Sequence, residues 1–227
     1  MIERASPNHD ARAARVTMIV LHYSGTLDAA AALDRLGDPA AKVSAHYFID
    51  EAGTTYALVP EDRRAWHAGE ARWRGIEDID SASIGIELAN PGHALGYCAF
   101  PDAQIEALIP LMADIKDRHG ITRGNIVGHS DVAPTRRQDP GELFAWHRLA
   151  RLRLALPRPT KHLVLPPWSE AGFLLALERF GYDVTDPFAA VVAFQRRFRP
   201  ELIDGEVDGE CKSLLLALLL PKPEGDA

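Results

Sequence analysis

Two histidines and two acidic residues in this chain have the types and positions that a water-activating metal site requires. His22 follows the run VTMIVL (16–21), His129 follows NIVG (125–128), and Glu87 lies near the end of SIGIEL (83–88). Asp139 comes ten residues after His129, inside an Asp-Pro-Gly turn. Two imidazoles and one carboxylate form an open tetrahedral zinc site whose fourth position is left for water. Such an ion lowers the pKa of bound water from about 16 to about 7, which makes a nucleophile available at neutral pH. A glutamate beside it suits the general base that takes the water's proton and passes it to a leaving amine. Each residue also has a plainer use. Neutral histidines are readily satisfied by hydrogen bonds in a core, and an acid before Pro-Gly forms turns and caps.

The elements that must position these residues can be read from periodicity. Val16–Leu21 is a short β-branched run, read as a buried strand that ends on His22. Asp28 is placed to cap a helix over Ala29–Leu36, stopping at Gly37. Val43–Asp50 and Thr54–Val59 flank Glu51-Ala52-Gly53 as a hairpin. Ser83–Leu88 reads as a strand, and so does Asn125–Gly128. Asp102–His119 carries an apolar stripe at Ile105, Leu108, Ile109, Met112 and Ile115, with a kink or late start expected at Pro110. Gly141–Leu154 is expected to be helical, with Leu143, Trp146, Leu149 and Ala150 on one face. Strands alternating with helices imply an α/β fold, a central mixed sheet flanked by helices, in which ligands gather beyond strand ends.

Composition narrows the function classes. Of 227 residues, 47% are apolar and 25% charged, which is ordinary for a globular protein. The net charge of -7 argues against a nucleic-acid partner, since phosphate binding needs a basic surface. Cys98 and Cys211 imply no disulfide framework, and both are read as buried thiols. The first residues lack the basic start and apolar stretch of a secretory signal, and the apolar run Leu214–Leu220 is too short to span a bilayer. The expected compartment is the cytoplasm, or the periplasm if a leader has been removed.

Short strings carry a more specific signal. LHYSGT (21–26), SAHYFID (44–50), AWHAG (65–69), SIGIELAN (83–90) and GHSDVAPTRRQDPG (128–141) occur in this order, after SPNHDAR (6–12). Together they resemble the zinc-dependent N-acetylmuramoyl-L-alanine amidases related to AmpD and AmiD, a family that includes the peptidoglycan recognition proteins. The resemblance spans residues 5 to 155. It implies metal ligands at His22, His129 and Asp139 and a catalytic acid at Glu87, the same four residues that chemistry selects. It further implies that the substrate is a muramyl peptide from peptidoglycan, cut at the lactyl–L-alanine amide. At position 137 the AmpD-like members usually carry Lys, where this chain has Arg137. That cation is expected to steady the oxyanion, with Arg136 beside it as an alternative source of charge. His46, His67 and Asn90 fall within family-like strings and are expected to touch sugar or peptide, the histidines having a supporting or packing role as the alternative. Trp66 and Trp73 are suited either to stack on sugar or to pack in the core. His9, His93, His119, His147 and His162 carry no functional expectation.

Beyond the catalytic unit (1–157) the texture changes. Pro157, Pro159, Pro166 and Pro167 mark a Pro-rich linker over 158–168. Three helices are expected in 169–227: Ser169–Phe180, Pro187–Phe198 and Gly209–Leu220. The string AVVAFQRRFRP with a downstream IDGEVDGE resembles the three-helix peptidoglycan-binding domain often joined to wall hydrolases. Three rival functions remain: a non-catalytic recognition module, a zinc peptidase acting within the stem peptide, and a structural zinc site. A complete ligand set opposes the first. The last would fill all four positions from the protein.

Overall fold

The computed structural model describes residues 1–160, 163 and 168–220. Its strands are β1 (Ile2–Glu3), β2 (His9–Ala11), β3 (Met18–Tyr23), β4 (Tyr47–Ile49), β5 (Thr55–Ala57), β6 (Arg63–Ala65), β7 (Ser83–Leu88) and β8 (Ile126–Gly128). Its helices are α1 (Ala29–Gly37), α2 (Ile79–Ala82), α3 (Gly92–Leu95), α4 (Asp102–His119), α5 (His129–Val132), α6 (Trp146–Arg151), α7 (Glu170–Phe180), α8 (Pro187–Phe198) and α9 (Gly209–Leu219). Six strands form one mixed sheet in the order β1-β5-β4-β7-β3-β8, and β2 pairs with β6 in a separate ribbon. Only β4 and β5, the expected hairpin, run antiparallel within the large sheet. This is the α/β layered fold expected from the sequence.

Alternation along the central strands decides which face holds the site. In β3, Ile19 and Leu21 join Ile84, Ile86 and Leu88 of β7 in a core covered by α4 and α6. Met18 and Val20 point the other way, into a second core shared with Trp73, Val127 and the C-terminal helices. Period-two geometry then puts His22 on the Met18–Val20 face, past the end of its apolar cover. His22 pairs in register with Glu87, so both side chains leave the sheet on that same face.

Helix caps largely follow the sequence. Asp28, Ser169, Asp186 and Asp208 each accept a backbone N–H at the start of α1, α7, α8 and α9. Three expectations need correction. Helix α4 starts at Asp102 rather than late and continues through Pro110; Pro110 and Glu106, whose carbonyl loses its donor, both lie on the exposed face, where solvent can take the place of the bond. The helix expected over 141–154 shrinks to Trp146–Arg151. Gly141 takes a left-handed φ of 87°, outside helical backbone, and Leu143 is exposed rather than on a buried face, its N–H donating to Tyr97 Oη. Cys98 is exposed, whereas Cys211 is buried as expected.

The three C-terminal helices form as expected, α9 ending at Leu219. Gln195 explains the Phe-Gln and Asp-Gly pairing read from the sequence. Its Oε1 accepts the N–H groups of Asp204 and Gly205 at 3.0 and 2.8 Å, and its Nε2 donates to Glu206 O at 3.0 Å. Of the Pro-rich linker, residues 161, 162 and 164–167 lie outside the described residues.

Candidate active site

His22, at the end of β3, meets His129, the first residue of α5, and Asp139, which precedes a cis Pro140. The Ser130 N–H donates to Asp139 O at 2.8 Å, which ties the two ligand-bearing segments together. The two Nδ1 atoms lie 2.9 Å apart, and Asp139 Oδ2 is 3.1 Å from His22 Nδ1 and 3.0 Å from His129 Nδ1. All three side chains are buried.

The proton positions follow from groups whose roles are already fixed. Ser83 Oγ–H donates to Ile79 O at 2.6 Å, so Ser83 Oγ accepts from His67 Nε2–H at 3.2 Å. Burial, reinforced by the neighbouring His22 and His46, holds His67 well below the usual histidine pKa, so its ring is neutral. His67 Nδ1 therefore accepts from His22 Nε2–H at 3.1 Å, which leaves His22 Nδ1 without a proton. His129 Nε2 faces Ala68 O at 3.0 Å, which accepts that nitrogen's N–H and turns Nδ1 toward His22 and Asp139. Burial, reinforced by His129, pushes His22 down to about 4. Burial alone would raise the Asp139 carboxyl, but the His129 and His22 rings outweigh it and hold the group well below the usual carboxylate range. Two imidazole nitrogens and a carboxylate oxygen thus converge on one point. The donor chemistry of that set suits a divalent metal. Among the described residues it is the one His/Cys/Asp/Glu group with that convergence.

Glu87 faces the same cleft. It is half-buried, and its Oε2 is enclosed without a hydrogen-bond partner among the described residues. Burial, helped by the charge of Asp139 and opposed by Arg137 and Arg35, pushes its carboxyl up to about 8. The cleft encloses about 360 Å³ and is lined by His67, Glu87, His129 and Asp139, with Tyr23, Trp66 and Gln138 on its walls. Arg35, Arg136 and Arg137 add positive charge. Arg136 is committed to the carbonyls of Ala68 and Glu70. Arg137 is exposed and makes no such bond among the described residues, so of the two it is the cation available to the cleft.

The three expected substrate contacts fare differently. His67 borders the cleft but uses both ring nitrogens to orient His22. His46 does not reach the cleft. Its Nδ1 accepts the Gly85 N–H at 3.0 Å, and its Nε2 lies 2.7 Å from the Arg12 guanidinium and 3.1 Å from Arg63 O. The Asn90 side chain likewise turns away from the cleft, donating to Cys98 O and accepting from the Gly92 N–H. It fixes the loop behind the wall. Trp73 packs in the core, while Trp66 lines the cleft. Tyr23, Arg35, His93 and Gln138 also line the cleft, with no role expected from the sequence. Tyr23 and Gln138 had a signal in directly adjoining ligands; His93 had none, since it arrives from a separate loop.

Comparison with known proteins gives the chain its relatives. The N-acetylmuramoyl-L-alanine amidase family model matches residues 12–142. N-acetylmuramoyl-L-alanine amidase AmiD of Escherichia coli (strain K12) is 37% identical, over 90% of this chain and 83% of that protein. The 1,6-anhydro-N-acetylmuramyl-L-alanine amidase AmpD of Citrobacter freundii is 37% identical over 62% of this chain and 71% of its own. Among solved structures, the complex of AmiD from E. coli with the substrate anhydro-N-acetylmuramic acid-L-Ala-D-gamma-Glu-L-Lys superposes with a TM-score of 0.83 at 36% identity. The match covers 92% of this chain and 91% of that one. AmpDh3 from Pseudomonas aeruginosa follows at a TM-score of 0.79 and 31% identity, covering 90% and 91%. The chain therefore belongs to the N-acetylmuramoyl-L-alanine amidase family.

Proposed function

We propose that this protein hydrolyses the amide between the lactyl group of muramic acid and the L-alanine of the stem peptide in anhydromuramyl or muramyl peptides, in peptidoglycan turnover or recycling, with zinc as its metal. The observation that carries this reading is the convergence of two imidazole nitrogens and a carboxylate oxygen beside an unpartnered glutamate in one cleft. His22, His129 and Asp139 would hold the ion and leave a position open. Zinc there supplies Lewis acidity toward a carbonyl and acidifies a water. Glu87 removes the proton of the attacking water and delivers it to the departing amide nitrogen of L-alanine. Arg137 faces the negative oxygen that develops on the lactyl carbonyl. Arg35 at the rim adds a cation for the carboxylates that a stem peptide carries. We also assign polymer attachment to the C-terminal helices.

The test is hydrolysis of a purified muramyl peptide followed by mass spectrometry. An intact peptide beginning with L-alanine is expected, lost on chelation, restored by zinc, and absent with Glu87→Ala. Binding of the peptide by zinc-loaded protein without cleavage would leave a recognition module in place of an enzyme.

A further inference from the structure

Away from the cleft, one buried hydrogen bond crosses from the C-terminal helices to the segment that carries His129. Tyr182 lies just past α7, and its O–H donates to Asp131 Oδ1 at 2.6 Å. Asp131 Oδ2 accepts the Gly128 N–H at 2.8 Å, closing the turn that sets the backbone of His129. Both residues are buried, Asp131 at 1% and Tyr182 at 2% exposure. The Tyr182 ring cannot drift. It packs edge-on against Trp73 with centroids 5.1 Å apart and against Phe194 at 6.2 Å, and it stacks on Phe180. A second tie reaches the other wall, where Arg196 of α8 pairs with Glu142 at 3.5 Å, and Glu142 accepts from His93 Nε2 at 3.2 Å.

We propose that the C-terminal helical unit is part of the scaffold of the metal site, with Tyr182 acting through Asp131 as a positioning residue for His129. This rests on the metal reading given above. Without the Tyr182 hydroxyl, one oxygen of a buried carboxylate loses its donor, which is costly for a charged group. Relief is close at hand. Arg197 is buried with its guanidinium over the Trp146 ring, its Nη1 has no hydrogen-bond partner among the described residues, and its charge already acts on Asp131. A carboxylate that turns toward Arg197 releases the Gly128 N–H, and with it the turn that aims His129. Residues that orient metal ligands from behind alter metal affinity by about 10- to 100-fold when lost.

Tyr182→Phe keeps the packed ring and removes only the hydroxyl. In the full chain, chelator competition is expected to show zinc held about tenfold more weakly by Tyr182→Phe. Its kcat on a muramyl peptide should fall while KM stays level. Asp131→Asn should weaken zinc as well, and the double variant should be no weaker than Asp131→Asn alone, because the two act as one unit. Zinc affinity unchanged in Tyr182→Phe, or effects that multiply, would overturn the proposal. If the parent itself takes up no zinc, the metal reading fails separately, and amide exchange over residues 128–132 decides the strut. Faster exchange in Tyr182→Phe sustains it, and equal exchange ends it.

Discussion

Glu87 combines two properties that pull against each other: a carboxyl that must give and take a proton, and a site that discourages its charge. Without metal it holds its proton up to about 8, whereas its ordinary value is 4.5. Between those values the folded chain binds more protons than the unfolded one, so the stability of the metal-free protein falls as pH rises through that window. Glu87→Gln removes this loss. The metal-free variant should melt above the metal-free parent at about pH 8.5 and level with it at about pH 4, as read by calorimetry. Coincident melting at both pH values would show that the carboxyl is not perturbed. For catalysis, the same variant should lose between about a hundredfold and ten-thousandfold in kcat. Arg137 is argued from charge alone. Arg137→Ala should lower kcat by about a hundredfold with KM nearly constant, and Arg137→Lys should recover most of it. Equal losses from Arg136→Ala would reassign the oxyanion role, since Arg136 is otherwise tied to two backbone carbonyls.

At the scale of elements, what matters is room as much as position. A Cβ on Gly85 of β7 would lie 2.4 Å from the His67 ring, so glycine there lets the imidazole lie flat against the strand and reach His22. Gly85→Ala should destabilise the fold by about 1–3 kcal/mol in denaturant unfolding and also weaken zinc binding. A stability loss with zinc affinity intact would mean that His67 does not orient His22. Strand ends were legible because the apolar runs in 16–21 and 125–128 stop on His22 and His129, and alternation fixes which face Glu87 takes within 83–88. The fate of His46 was not legible. Whether a buried histidine faces a cleft depends on Arg12, a residue 34 positions away that fills the space behind the sheet. The shortened α6 was hidden for a similar reason, because Gly141 leaves helical backbone where Tyr97, from a separate loop, packs against it. Periodicity describes a segment's own preference, and both failures come from a distant partner.

For the whole molecule, the deciding feature is the core that the sheet and the C-terminal helices share. Met18, Val20, Trp73, Val127 and Val132 pack with Phe173, Phe180, Phe194 and Leu215. A chain ending at residue 160 would leave that face bare, and burial of apolar surface is the main support of such an interface. The truncated chain is expected to bind a hydrophobic dye and to melt well below the parent. Unaltered melting would show that the two parts stand independently. The shared core also bears on inheritance. Modules that meet only through a linker can be exchanged between genes without loss. Here a recombinant that acquires a foreign C-terminal unit also needs matching partners at Met18, Val20, Trp73 and Asp131. The unit should therefore be passed on together with its catalytic partner, and chimeras joined within 158–168 should fold poorly even when both parents are sound.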